Sequence, residues 1–296
     1  MTQLPEILQP ATPEVLAWLA SEAARGCTRL DTFAAMRTAG WQPQSAAQVM
    51  ALTLDERTTL GVPPVDGLLT VVPVPMPVFV PAQRANDADG WVVDGGDQTV
   101  VVLQRYEVPA VAVFVDLLSP EECDALIDAA RPRLSASLTV DTQTGGEELH
   151  PDRTSQGMFF SRGENAVVAR VEARIATLLG WPLENGEGLQ ILRYPPGAQY
   201  RPHYDYFDPS EPGTPAILKR GGQRVATLII YLCEPEGGGA TVFPDIALSV
   251  APKRGNAVFF SYGQPHPASL SLHGGEPVTQ GEKWIATKWL REREFR

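Results

Sequence analysis

Cysteine is scarce in this chain. Its 296 residues include three cysteines, Cys27, Cys123 and Cys233, which lie far apart and form no CxxC pair. This spacing argues against a disulfide framework and against a zinc knuckle as the organising element of the fold. Cys233 ends an apolar run, and we expect it to be a buried thiol.

An excess of positive charge is missing as well. The chain has 35 acidic and 24 basic residues and a net charge of −11, so we expect neither a nucleic-acid nor a membrane partner. No apolar stretch approaches the roughly 20 residues that cross a bilayer. The opening MTQLPEILQPATPE lacks the basic and apolar regions of a secretory signal. These absences predict a cytoplasmic protein.

Residues 1–60 are predicted to form a small helical module. Thr12 is a candidate N-cap, with proline at the first helical position. The segment LDTFAAMRTAG places Leu30, Phe33 and Met36 on one helical face and ends in a glycine that can terminate the helix. A third helix fits SAAQVMALTL, which completes a bundle of three amphipathic helices.

Residues 61–98 are rich in proline and β-branched side chains, which oppose a helix and favour extended chain. We interpret this segment as a connector that lies along the next domain; the alternative is a ligand for a proline-binding partner.

Residues 99–296 are dominated by predicted strands with turn signals between them. Two helices interrupt the strands, one with Ser119 and Glu122 in capping-box positions and one that ends at Gly180. This order predicts an α+β fold, a double-stranded β-helix (jelly roll) whose helices cover one outer face. The sequence has no GxGxxG after a strand and no GxxxxGK[ST], so dinucleotide and P-loop sites have no support.

Two of the four histidines can share a metal ion with a carboxylate. His203 and Asp205 lie two apart in RPHYDYFD, and such residues point to the same side of an extended chain. A histidine from a distant strand would complete one face of an octahedron and leave three positions open for a cosubstrate and O2. His273 is the candidate, and His266, in a turn, is the alternative.

A lysine follows His273 by ten residues. In EKWIATKWL, strand alternation puts Lys283 on one face with Ile285 and Trp289, and Lys288 on the other face, where we expect a solvated or paired surface lysine. An ammonium among inward apolar residues needs an anionic partner, because burying a lone charge is costly. A dicarboxylate chelated to a nearby metal would provide that partner.

Several blocks of the sequence resemble the catalytic domain of prolyl 4-hydroxylases, which are Fe(II)/2-oxoglutarate dioxygenases. The blocks are LQILRYPPGAQYRPHYDYF, GQRVATLIIYL, GGGATVFP and LHGGEPVTQGEKWIATKWLRE. They stand in order, and the resemblance runs from about residue 108 to the C-terminus without covering the helical module. Pro195-Pro196 and Ala240 stand where the family often has acidic or polar residues.

The resemblance implies a hydroxylase that uses Fe(II), 2-oxoglutarate and O2, with ascorbate as an accompanying reductant. A prolyl residue of a protein or peptide is the implied substrate. A free amino acid or small metabolite is an alternative substrate, and a non-catalytic binding module on the same fold is a second alternative. The oligomeric state is left open.

The resemblance also implies roles for single residues. His203, Asp205 and His273 would be the catalytic iron ligands. Lys283 would pair with the distal carboxylate of 2-oxoglutarate. The other implied contacts are Tyr200 and Thr227 to the cosubstrate, and Trp289, Arg153, Ser155, Gly157 and Tyr194 to the substrate.

Overall fold

The computed structural model describes residues 12–41, 43–50, 73–80, 91–137, 139–140, 147–148 and 154–296. The chain divides into two compact units, Met1–Thr70 and Val71–Arg296. Among the described residues, no helix is long and apolar enough to cross a membrane.

The described residues of the first unit form three helices, as predicted: α1 (Pro13–Ala24), α2 (Arg29–Thr38) and α3 (Pro43–Val49). Thr12 caps α1 by accepting a hydrogen bond from the Val15 amide. Phe33 and Met36 are buried, but Leu30 is 60% exposed, so its predicted place on the buried face is wrong. The buried face of α2 instead begins at Thr32, two residues further along. The predicted end of the third helix lies beyond the described residues.

In the second unit, the described residues form the strands and three further α-helices. The helices are α4 (Pro120–Ala130), α5 (Ala166–Leu179) and the short α6 (Thr214–Ile217). The strands are β1 (Phe79–Val80), β2 (Trp91–Asp94), β3 (Thr99–Tyr106), β4 (Ala110–Val115), β5 (Ser135–Ala136), β6 (Thr139–Val140), β7 (Glu147–Glu148), β8 (Gln156–Phe160), β9 (Leu189–Tyr194), β10 (Tyr200–His203), β11 (Arg224–Cys233), β12 (Gly237–Gly238), β13 (Thr241–Phe243), β14 (Leu248–Val250), β15 (Ala257–Ser261), β16 (His273–Gly275), β17 (Val278–Gln280) and β18 (Lys283–Arg291).

Two antiparallel sheets build the jelly roll, which confirms the predicted fold class. The large sheet has the order β1-β2-β3-β4-β15-β11-β18-β9-β8-β5, and the small sheet has the order β10-β16-β13-β14. Alternate residues of β11 pack into two different hydrophobic cores. Leu228 and Ile230 belong to the cluster that includes the helices, whereas Ile229 and Tyr231 belong to the cluster that includes Phe243 of the small sheet.

The helices of this unit begin and end as predicted. Ser119 and Glu122 form a complete capping box at the start of α4. Gly180 ends α5 in the left-handed conformation, with φ of 57°. Cys123 of α4 is buried, but Cys233 is only partly buried, because it lies at the open end of β11.

Part of the predicted proline-rich connector groups with the second unit. That unit begins at Val71, and β2 pairs with β3 along its whole length from Trp91 to Asp94. Main-chain hydrogen bonds from Met76 and Val78 to the end of α5 tie the described part of this segment to the domain.

Lys288 is buried and not on the surface, which corrects its predicted exposure. Strand alternation does place it opposite Lys283, but α5 covers that face of the sheet. Its ammonium pairs with Glu172 of α5 and donates to the carbonyl oxygen of Glu187. Glu172 also accepts a hydrogen bond from the amide of Gly163, so both members of this buried pair have further partners.

Candidate active site

The small sheet brings two distant histidines together. His203 ends β10, His273 begins β16, and the two residues are directly paired across the strands. The ladder has an irregularity between Tyr200 and His203: three steps along β10 match two steps along β16. This bulge re-aims His203 toward His273, and the two imidazole centroids are 4.5 Å apart.

A carboxylate completes the group. One oxygen of Asp205 lies 3.5 Å from Nε2 of His203, and the other lies 3.5 Å from Nε2 of His273. One donor atom from each of the three residues lies within 4.8 Å of the others. Within the described part of the chain, this is the one cluster of metal-binding side chains, and His266 does not belong to it.

Both imidazoles are oriented as metal ligands require. Nδ1 of His203 lies 2.8 Å from the carbonyl oxygen of Arg201, and Nδ1 of His273 lies 3.0 Å from that of Ser271. A carbonyl oxygen only accepts, so each Nδ1 carries the proton and each Nε2 presents a lone pair to the shared space. The donor set therefore fits a ferrous ion held by two histidines and one carboxylate.

The ionisation states also suit a metal. Burial by itself would raise the pKa of Asp205, but the neighbouring His273, His203 and Arg224 outweigh it and bring that pKa far below its usual range. Burial lowers the pKa of His273 to about 4. At neutral pH the site thus holds a carboxylate and a neutral imidazole, the forms that bind metals.

A small cavity opens beside these ligands. Its wall combines the three candidate ligands with apolar side chains, including Ile229 and Ile285. Its other polar lining comes from Tyr194, Tyr200, Thr241, Lys283, Thr287 and Trp289. A mostly apolar cavity with a few convergent polar groups is the usual form of a small-molecule site.

Lys283 is a buried cation with no counter-ion in the described part of the chain. It is 2% exposed, and no carboxylate of a described residue lies within ion-pair distance of its ammonium. The rings of Tyr194 and Tyr231 lie near this ammonium, with centroids 5.5 and 5.7 Å from Nζ. Burial lowers its pKa to about 8, partly opposed by the charge of Glu276. The cavity therefore favours an anionic ligand at this position.

Tyr200 and Tyr194 line the cavity at different points. The ring of Tyr200 stacks on the imidazole of His203, with centroids 3.7 Å apart and an interplanar angle of 23°. Tyr194 pairs across the strands with Lys283. Both tyrosines thus contact a residue with a proposed role in binding metal or cosubstrate.

Trp289 lines the cavity and has an unusual polar atom. Its indole Nε1 is buried and has no hydrogen-bond acceptor among the described residues. The guanidinium of Arg224 lies 3.9 Å from the centroid of the ring and fixes its position. Phe159 lies nearby, 6.3 Å from Trp289 between centroids, and is 46% exposed.

The remaining predicted site residues lie elsewhere. Thr227 is not among the described residues that line the cavity; its hydroxyl is 2.7 Å from Asp205 instead. Ser155 is buried and donates to Ser137. A side chain at Gly157 would meet Ser137 and Leu192 at 2.8 Å, so this position needs glycine. Arg153 lies outside the described residues.

A buried network of charged residues adjoins the site, and the sequence analysis does not predict it. Glu187 accepts from Arg224 at 2.6 Å and from Arg291 at 2.7 Å. Arg224 also reaches the carbonyl oxygen of Asp205 at 3.4 Å. Despite burial, these two guanidinium groups lower the pKa of Glu187. No short motif signals this network, because its members come from three separate segments.

Similarity to known proteins agrees with this geometry. Residues 189–291 match the model of the 2OG-Fe(II) oxygenase superfamily. The chain is 42% identical over 235 residues to prolyl 4-hydroxylase 5 of Arabidopsis thaliana, covering 72% of this chain and 78% of that protein. It is 41% identical over 228 residues to prolyl 4-hydroxylase 1 of the same plant, covering 71% and 77%. A crystal structure of the viral collagen prolyl hydroxylase from Paramecium Bursaria Chlorella virus-1 shares 32% identity and covers 61% of this chain and 95% of that one, with a TM-score of 0.48.

The jelly roll and its paired histidines define a 2-oxoglutarate-dependent dioxygenase, a class whose members use Fe(II) and O2. Within that class, the chain belongs to the prolyl 4-hydroxylase family.

Replacing Lys283 should stabilise the metal-free protein. A fall in pKa from 10.5 to about 8 means that the folded state disfavours the ammonium by about 3 kcal/mol. This penalty is full below pH 8 and disappears as the pH rises to 10.5, because over that range the unfolded chain holds the proton more tightly. Lys283→Met should therefore raise the free energy of unfolding by about that amount at pH 7 and by progressively less above pH 8.

Chemical denaturation of the metal-free protein measures this effect. Lys219→Met, at an exposed lysine, is the matched control and should leave stability nearly unchanged. If Lys283→Met were no more stable than wild type at pH 7, Lys283 would not be an uncompensated buried charge.

Proposed function

We propose that this protein hydroxylates a prolyl residue of a peptide or protein, using Fe(II), O2 and 2-oxoglutarate. One observation carries the proposal: a buried, unpaired ammonium shares a cavity with two histidines and a carboxylate that can hold one metal ion. That combination suits a cosubstrate with a chelating end and a distant carboxylate. The identity with plant prolyl 4-hydroxylases supports the prolyl substrate.

The metal, its three ligands and Lys283 have separate proposed roles. When bound, Fe(II) would supply the O2 chemistry that couples oxidation of 2-oxoglutarate, to succinate and CO2, with insertion of one oxygen atom into the substrate. His203, Asp205 and His273 would hold the ion by three ligands and leave its other positions to the cosubstrate and O2. Lys283 would bind the distal carboxylate and so orient the cosubstrate.

The cavity wall has its own part in this function. Ile229 and Ile285 exclude water from the reacting groups, which strengthens the interaction of Lys283 with a carboxylate. The unpartnered Nε1 of Trp289 would gain an acceptor when substrate enters. A buried donor without a partner costs about 1–3 kcal/mol, so this contact would favour substrates with a well-placed oxygen.

Three finer points stay predictions from the sequence. They are the use of ascorbate, the cytoplasmic location and the contacts of Arg153 with substrate. The helical module is a candidate for recruiting substrate or another subunit.

The direct test is turnover with defined substrates. We expect the protein, supplied with Fe(II) and 2-oxoglutarate, to release succinate with a proline-rich peptide and to add one oxygen atom to that peptide by mass spectrometry. His203→Ala should reduce both signals to background, because two ligands bind Fe(II) too weakly. His266→Asn, which replaces a histidine outside the metal cluster and keeps an acceptor for the amide of Ala268, should retain turnover.

Other outcomes would contradict the proposal in recognisable ways. Oxidation of free proline or another free amino acid, with peptides inert, would assign a small-molecule substrate. Full turnover by His203→Ala would refute the metal centre. Metal and 2-oxoglutarate binding without oxidation of any peptide or amino acid would favour a binding module.

The affinity for 2-oxoglutarate should fall as the pH rises through about 8. Below that pH Lys283 is an ammonium that attracts the distal carboxylate; above it the free protein has lost that proton, so binding must take one up. The dissociation constant should then rise by about tenfold per pH unit. Lys283→Arg keeps its charge at all these pH values and should flatten the profile.

Titration calorimetry with Mn(II) in place of Fe(II) measures this profile between pH 7 and 9. A wild-type dissociation constant that does not change with pH, or that changes equally in Lys283→Arg, would exclude Lys283 as the carboxylate partner.

A further inference from the structure

Thr227 belongs to a buried chain of hydroxyl groups that ends on the candidate metal ligand Asp205. Its Oγ1 lies 2.7 Å from Oδ2 of Asp205 and 2.9 Å from the hydroxyl oxygen of Tyr262. All three side chains are buried, with exposures of 0% for Thr227, 2% for Tyr262 and 6% for Asp205. Bulk water therefore cannot replace any member of the chain.

The direction of each hydrogen bond follows from the chemistry of the groups. A carboxylate that binds a metal is ionised and can only accept. Thr227 has a single hydroxyl proton, and it must go to Asp205. The second bond then needs a proton from Tyr262, because Thr227 has none left to give. The chain runs in one direction, from Tyr262 through Thr227 to Asp205.

The strands of the large sheet hold this chain rigidly. Thr227 is in β11 and pairs with Phe260 of β15, two residues before Tyr262. The amide of Tyr262 donates to the carbonyl oxygen of Val225 at 2.9 Å, which anchors the tyrosine to the same strand as the threonine. Asp205, by contrast, follows the end of β10 and is outside any strand. The chain thus links a loop carboxylate to the most extensively paired part of the sheet.

We propose that Thr227 and Tyr262 are positioning residues for the metal centre, and this rests on the proposed function. By engaging Oδ2, the chain fixes the rotation of the carboxylate and leaves one oxygen for the metal. A carboxylate that bound through both oxygens would take a position that the cosubstrate or O2 needs. Thr227 therefore sets both the affinity for the metal and the number of open positions.

A matched tyrosine–threonine pair joins the large sheet to the small sheet and makes no hydrogen bond with Asp205. Tyr231 donates to Thr241 at 2.8 Å, and both residues are buried. This pair has the same chemistry as Tyr262 and Thr227, but Thr241 lines the cavity and forms no bond with Asp205. Tyr231→Phe, which keeps the ring and lies outside the cavity lining, therefore controls for the general effect of breaking a buried threonine–tyrosine hydrogen bond.

The test measures Co(II) binding to the full chain in the absence of cosubstrate. The visible absorption of the bound metal reports the affinity, and the shape of the spectrum reports the coordination number. Thr227→Val should weaken binding by about 10- to 100-fold and alter the spectrum. Thr227→Ser, which keeps the hydroxyl, should bind almost as tightly as wild type, and Tyr231→Phe should match wild type. Tyr262→Phe should fall between wild type and Thr227→Val.

The double variant Thr227→Val/Tyr262→Phe separates positioning from general damage. Tyr262 acts through Thr227, so the double variant should bind Co(II) no more weakly than Thr227→Val alone. Wild-type affinity and spectrum in Thr227→Val would overturn the proposal, as would fully additive losses in the double variant. If Thr227→Val does not fold, unchanged affinity in Tyr262→Phe would overturn it. Failure of the wild type to bind Co(II) would instead refute the metal centre itself.

Discussion

The bulge in β10 is the constraint on which the metal centre depends. The bulge adds one residue to β10 relative to β16. Without this extra residue the ladder would be regular, and His203 would point to the other face of the small sheet, away from His273. Pro202 lies within the irregular stretch, where it has no amide to donate to the ladder. Gly274 faces this stretch from β16, and a Cβ there would lie 2.9 Å from the carbonyl oxygen of Tyr200. The close approach of the two strands therefore requires glycine at that position.

Charge is distributed very unevenly around the cavity. Below it, Glu187 is shared by Arg224 and Arg291, and on the helix side Lys288 is paired with Glu172, so these buried charges are compensated. Among the buried cations of the described residues, Lys283 alone has no carboxylate within ion-pair distance. Outside the candidate metal cluster, the domain thus pairs its other described buried charges and leaves one cation open in a cavity, which favours an anionic ligand from outside. The unfavourable burial of this ammonium is a local loss of stability that ligand binding offsets.

Strand periodicity predicts the fold class and places His203 and Asp205 on one side of an extended chain. Alternation in EKWIATKWL places Lys283, Thr287 and Trp289 on one face, and the structure finds all three in the cavity wall. Periodicity says nothing about what covers a face. Alternation alone therefore predicts Lys288 at the surface. The contact that buries it, with Glu172 of α5, joins residues 116 apart in sequence.

Thr227 shows a second limit of sequence reasoning. The family resemblance implies a contact of Thr227 with the cosubstrate, but the hydroxyl of Thr227 lies 2.7 Å from Asp205. Which of the two contacts forms depends on how far the loop after β10 folds back over the sheet. The same holds for Arg224, whose contacts with Trp289, Glu187 and the Asp205 carbonyl oxygen join three segments that no local pattern connects.

The most direct measurement is a crystal structure of the protein with Mn(II) and 2-oxoglutarate, with the ion located by its anomalous scattering. We predict one ion coordinated by His203, Asp205 and His273. We also predict that the distal carboxylate of the cosubstrate lies within about 3 Å of Lys283 Nζ. An ion bound elsewhere, or a cosubstrate whose distal carboxylate does not reach Lys283, would contradict these predictions.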